Sequence, residues 1–115
     1  MIYDDAQDLV ARIVAQGVRA TTDPKRLDPP GALVFPEAAQ FDSMCEGRGA
    51  TDWVVVLLSP QPGGHEAFRT LSQMAAAVLK AIPRIDSLQA TSYRTSNDTE
   101  WPCYEMRFTT ESSWI

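Results

Sequence analysis

The chain has 115 residues, 44% of them hydrophobic and 22% charged, which fits one ordinary globular domain with one core and excludes global disorder. Its formal net charge is −5 and its pI about 4.7. That balance argues against a protein built to grip nucleic-acid phosphates, which needs a basic patch.

The opening, MIYDDAQD, is acidic and lacks the basic and apolar regions of a signal peptide, so a cytoplasmic site of synthesis and residence is expected. From Asp4 to Gln16, the residues Ala6, Leu9, Val10, Ile13 and Val14 recur at helical spacing and predict an amphipathic helix. Asp4 or Asp5 can cap its first turn, and Gly17 stands where a left-handed terminating residue belongs. Val18 to Thr22 is rich in β-branched residues and reads as a strand, turned by Asp23-Pro24. Pro29-Pro30 cannot donate to a ladder, so it lies outside any central strand. Ala32 to Phe35 reads as a second short strand stopped by Pro36.

Residues 37 to 51 are ambiguous. The segment is polar and long for a plain connection, yet it holds Phe41, Met44 and Cys45. It can hide a short strand around Gln40 to Met44, or form a projecting loop. Asp52 to Ser59 is the best strand: Trp53 to Leu58 is continuously apolar, which predicts a central strand buried on both faces. That run is also far too short to span a bilayer. His65 to Ile82 predicts a second helix, with Phe68, Leu71, Ala75, Val78, Leu79 and Ile82 as its apolar stripe and Pro83 as its stop. Ser87 to Thr95 and Pro102 to Thr110 read as two final strands. In the last, Tyr104, Met106 and Phe108 alternate with Cys103, Glu105 and Arg107. The expected fold is α+β: two helices packed on one face of a mixed or antiparallel sheet of four to six strands, in a single two-layer domain spanning 1–115. The outer sheet face should be wet and the edges exposed.

Chemistry is sparse in this sequence. His65 begins HEAFR, which lacks the second His of a zinc-protease helix. Cys45 in CEGRG sits beside a basic residue that could lower its pKa, but Glu46 is adjacent and no activating partner is evident. Cys45 and Cys103 form no CxxC, and one His completes no zinc set, so free thiols are expected and no metal or cofactor. Pro62-Gly63-Gly64 precedes a helix without the Lys of a phosphate loop, and Asn97-Asp98-Thr99 reads as a hairpin turn. No catalytic residue is assigned. What stands out is apolar surface in unusual places: Phe41, Met44, Trp101, Trp114 and Ile115, which together suit contacts between chains.

Four stretches resemble the tail terminator proteins of tailed bacteriophages. They are the helix ending in GVRATTDP, the strand PPGALVF, the strand WVVVLLSP leading into a helix, and the closing PCYEMRFTT. The resemblance spans nearly the whole chain. It implies a non-enzymatic α+β subunit of a homo-oligomeric ring, a hexamer, in the virion neck. Such a ring ends growth of the tail tube and joins tail to head. Its partners would be the major tail tube protein and a head-closure or connector protein, with DNA passing through without sequence-specific binding, and no membrane. Other neck proteins, and a cytoplasmic ferredoxin-like regulatory or ligand-binding module, remain the alternatives.

Overall fold

The computed structural model describes residues 2–41, 47–60, 64–94 and 100–114. Helix α1 (Ile2–Ala15) buries Ala6, Leu9 and Ile13, the centre of the stripe read from spacing. It ends as its sequence dictates: Gly17 takes φ +89°, and its N–H donates to the Val14 carbonyl at 2.9 Å. Strand β1 is only Ala20–Thr21, shorter than the β-branched run suggested. A 3₁₀ turn at Pro24–Arg26 follows, capped by Asp23, whose side chain accepts from the Lys25 N–H at 3.0 Å.

Strands β2 (Gly31–Phe41) and β3 (Arg48–Leu58) pair antiparallel along almost their full length. Strand β2 does not stop at Pro36. It continues through a register shift between Pro36 and Ala38, with Pro36 on the sheet's flank where a missing donor is tolerated. Most of residues 37–51, read as either a projecting loop or a short strand around Gln40 to Met44, is therefore the outer halves of two paired strands, with Gln40 and Phe41 in strand as the second reading had it. Residues 42–46, including the predicted Met44, lie outside the described residues. Helix α2 (Gly64–Ala81) crosses to β4 (Ser87–Arg94), and β5 (Glu100–Ser113) closes the sheet.

The sheet order is β1-β2-β3-β5-β4. Strand β1 runs parallel to β2, and the other three pairs are antiparallel. Strands β3 and β4 therefore run parallel with β5 inserted between them, a split β-α-β unit through α2. Both helices cover one face, α1 over β1 and β2 and α2 over β3 and β5, which is the two-layer α+β arrangement read from the sequence.

Alternation along the central strands divides the side chains. Ala32, Val34, Trp53, Val55, Leu57, Met106 and Phe108 point into the helix-covered core with Ile13, Leu71 and Val78. The opposite face was expected to be wet. It instead holds a second apolar cluster of Leu33, Val54, Val56, Leu58 and Cys103, with Leu27, Phe35 and Trp101 packed at its margin. Among the described residues no helix lies there. The continuous run from Trp53 to Leu58 puts valines and leucines on both faces. On the outer face, neighbours from β2 and β5 and the turn carrying Leu27 close over them.

The helix stripes differ from the periodic reading at their margins. Phe68 is 63% exposed, Leu79 45% and Val14 50%, whereas Ala67 and Met74 are buried. In α2 the buried arc is rotated toward α1, because α1 supplies a second packing surface on that side while, among the described residues, nothing stacks above β4.

Candidate functional site

The molecule is elongated, with extents of 49 × 30 × 21 Å. Its length comes from the central strands. Past the stacked pair Trp53 and Phe108, the apolar core ends. The sheet continues as a three-stranded arm of β2, β3 and β5, in rows running from Ala38–Asp52–Thr109 to Phe41–Gly49–Ser112. At the strand rise of ~3.3 Å these four rows add roughly 13 Å.

The arm is held by polar bonds rather than by a core. On the helix side, the buried Thr51 hydroxyl accepts from the Trp114 indole N–H at 3.2 Å. The Trp53 indole N–H donates to the Thr110 hydroxyl at 2.8 Å, and Thr110 and Ser112 share a further hydroxyl bond at 3.2 Å. The Trp114 backbone N–H donates to the Gly47 carbonyl at 2.8 Å, tying the end of β5 to the start of β3. Trp114 then meets Phe41 edge to face, with ring centroids 6.3 Å apart. Phe41 remains 54% exposed.

On the opposite face of the sheet, at the base of the arm, lies a charged cluster. Arg107 donates from Nε to Glu37 Oε2 at 3.1 Å and pairs through Nη2 with Glu105 Oε2 at 3.1 Å. Its guanidinium is raised further above its ordinary pKa, chiefly by the hydrogen bond to Glu37. Thr109 donates to Asp52 at 2.7 Å. These groups are solvent-facing, so they orient the arm's surface more than they stabilise it.

Of the residues marked for contact between chains, the fold joins two. Phe41, at the end of β2, and Trp114, just past β5, are 73 residues apart in the chain and meet at the arm. Trp101 does not join them: it lies near the start of β5, on the face opposite the two described helices, against the second cluster. Met44 and Ile115 lie outside the described residues, as do Cys45, Pro62, Gly63 and the Asn97-Asp98-Thr99 stretch. His65 is exposed on the first turn of α2. Among the described residues no three His, Cys, Asp or Glu side chains gather as a metal site. An open groove of about 390 Å³ beside β1 is lined by Arg19, Thr21, Arg26 and Asp28 among others. Arg26 there is 83% exposed and turns to Asp23, so the groove's charges do not converge.

Sequence reasoning missed Phe68, Leu79 and Leu88 as surface. Leu88 is 45% exposed on β4 opposite the buried Met106, so it lies on the helix side of the sheet. Only the sheet order, which puts β4 at an edge, could have revealed this.

Cys103 is buried, and burial, with Glu105 second, pushes its thiol up to about 11. A Cys45→Ser variant should therefore react with a thiol reagent at pH 8 on the order of 100-fold more slowly when folded than in urea. The folded pKa is raised above the ordinary 9.0, so the stabilising preference for the neutral thiol is complete below about pH 9 and fades as pH rises toward 11. Equal labelling rates in the folded and unfolded states would contradict this burial.

No protein-family model matches the chain, and no curated protein matches it. Among solved structures, it is similar to a chain in the virion of a native gene transfer agent particle. The TM-score is 0.48 at 18% identity, over 90% of this chain and 84% of that one. At that identity and score the similarity carries no inference about role. Among the described residues, no helix is long and apolar enough to cross a membrane.

Proposed function

We propose that this chain is a structural subunit of a tailed-phage particle. It would form a ring, a hexamer, at the head-proximal end of the tail tube, ending tube growth and joining tail to head. The observation that carries the reading is the arm: a three-stranded extension of the sheet with an exposed aromatic, Phe41, braced by Trp114. An extension of this kind costs exposed apolar surface and offers a lone chain little core. It is explained by a neighbour that covers it. The sequence resemblance to tail terminators points the same way. So does the negative charge, because an acidic ring lets DNA slide through without sticking. The partners are then the tail tube protein on one side and a head-closure or connector protein on the other.

Charge also sets how assembly should behave. At −5 per chain, six copies bring about −30 together, and their repulsion is strongest at low salt. The chain should be a monomer in dilute low-salt buffer. It should form rings at high protein concentration, in high salt, or on tail tubes. Sedimentation across a salt series, with negative-stain microscopy of the assembled fractions, tests this. A tight oligomer strongest at low salt would contradict the electrostatic argument. A monomer that never binds tubes would overturn the ring in favour of a regulatory or ligand-binding module.

A further inference from the structure

We infer that the Phe41–Trp114 end of the arm of one copy seats against the flank of α2 and β4 on a second copy. This rests on the ring reading and deepens it by assigning the two surfaces that meet.

The flank follows from helix phase and sheet order. In α2, Thr70, Gln73, Met74 and Ala77 face the end of α1, lining a shared groove with Gly17 and Val18. Leu71, Ala75 and Val78 point down into the core. Phe68 and Leu79, eleven residues apart and so three turns along one line, therefore face away from α1, above the β5–β4 side of the sheet. There Leu88 stands on β4, and the next helix-side residue, Ala90, is exposed as well. The result is an apolar strip, Phe68, Leu79 and Leu88, with no third element over it among the described residues.

The edge beside this strip is unguarded. Strand β4 reads SLQATSYR: eight residues with no proline, and no charge before Arg94. Natural edge strands are usually blunted by lysine, proline or a bulge. The opposite edge of the sheet has such devices, since β1 pairs only Ala32 and Leu33 and the rest of β2 carries Pro36 and a register shift. The unguarded edge is the one built to be covered.

Charge selects the occupant. The flank carries Arg69 and Lys80 exposed along α2 and Arg84 just beyond it, against Asp86 at the approach to β4 and Glu66 in the first turn of α2. The arm, in the rows from Asp52–Thr109 outward, carries Asp52 and Glu111 against Arg48, with Glu37 at its base paired to Arg107. The flank is net positive and the arm net negative, so the two attract although whole chains repel. They are different surfaces on the same molecule. Their contact is heterologous, which is the kind that closes into a ring of more than two copies and not a two-fold dimer.

The experiment uses two variants of the full chain. Phe41→Asp spoils the arm, and Phe68→Asp with Leu79→Asp spoils the flank. All three positions are exposed, so folding should survive; Phe68→Ser with Leu79→Ser replaces the flank variant if it does not. Under conditions where the parent forms rings, each variant alone should sediment as a single chain, with association weakened about 100-fold or more. An equal mixture should form two-chain species, because the arm-spoiled copy keeps an intact flank and the flank-spoiled copy an intact arm. If the parent forms rings and either variant still does, or the mixture stays single, this pairing of surfaces is overturned and the ring stands. If the parent never assembles, alone or on tail tubes, both fall.

Discussion

Replacing Trp53 with Ala should destabilise the fold by about 3–5 kcal/mol, the largest loss expected from any single side chain here. Trp53 is fully buried in the middle of the sheet. It stacks on Phe108, its direct partner across β3 and β5, with centroids 6.5 Å apart and planes within 15°. Its indole N–H reaches Thr110 at 2.8 Å. Removing it opens a cavity where the core ends and the arm begins, and the two strands that flank it cannot collapse inward without losing register. A domain of this size has roughly 5–15 kcal/mol to lose in total, so the variant should be partly unfolded at physiological temperature. Urea unfolding would show a lower midpoint at an unchanged slope. Trp53→Phe separates the two contributions. It keeps a ring against Phe108 but removes the bond to Thr110, whose hydroxyl retains Ser112, so a loss of about 1–2 kcal/mol is expected. A loss under about 1 kcal/mol for the alanine variant would mean that this part of the core is less tightly packed than the structure shows.

The sequence displays the elements whose signals are local. The stripe Ala6, Leu9, Ile13, the stop at Gly17 and the unbroken run from Trp53 to Leu58 each follow from neighbours in the chain, and each stands in the structure. What the sequence hides depends on partners far along it. Residues 37–41 follow Pro36 and open with Glu and two Ala, poor strand formers, and only Gln40 and Phe41 lie within the short strand the sequence allowed there. They become strand because β3 presents a ladder whose other side is already paired with residues 109–113. Phe68 and Leu79 fit a helical stripe as well as Ala67 and Met74 do, because the apolar arc of α2 is wider than the surface available to cover it. Where α1 sits decides which margin is buried. Phe41 and Trp114 could each be marked as odd surface, but their contact needs β2 and β5 both paired onto β3.

Replacing Gly49 with Ala should cost about 2–3 kcal/mol and open the arm. Gly49 sits on β3 opposite Phe41 of β2 and Ser112 of β5, and it is buried between them. A Cβ added there would overlap the Gln40 carbonyl oxygen and stand 2.8 Å from the Phe41 Cα. Both obstacles are backbone, so no rotamer change relieves them. The strand β2 must move away from β3, which gives up the last pairs of that ladder and draws Phe41 off Trp114. Two other glycines calibrate the effect. At Gly31 the obstacle is the Asp28 carbonyl oxygen at 2.6 Å, in a turn that can yield, so Gly31→Ala should cost less. At Gly17 nothing lies within 4 Å, but φ is +89°, and alanine should cost only the roughly 1 kcal/mol of a left-handed backbone. The order Gly49, Gly31, Gly17 is the expected outcome of urea melts on the three variants. Gly49→Ala alone should also speed amide exchange at residues 38–41 and 49–51 and shift Trp114 emission. If its stability falls no further than that of Gly17→Ala, with Trp114 emission unchanged, β2 and β3 can part without loss. The arm would then be too loose to present Phe41 to a neighbour, and the assembly reading would lose the element it stands on.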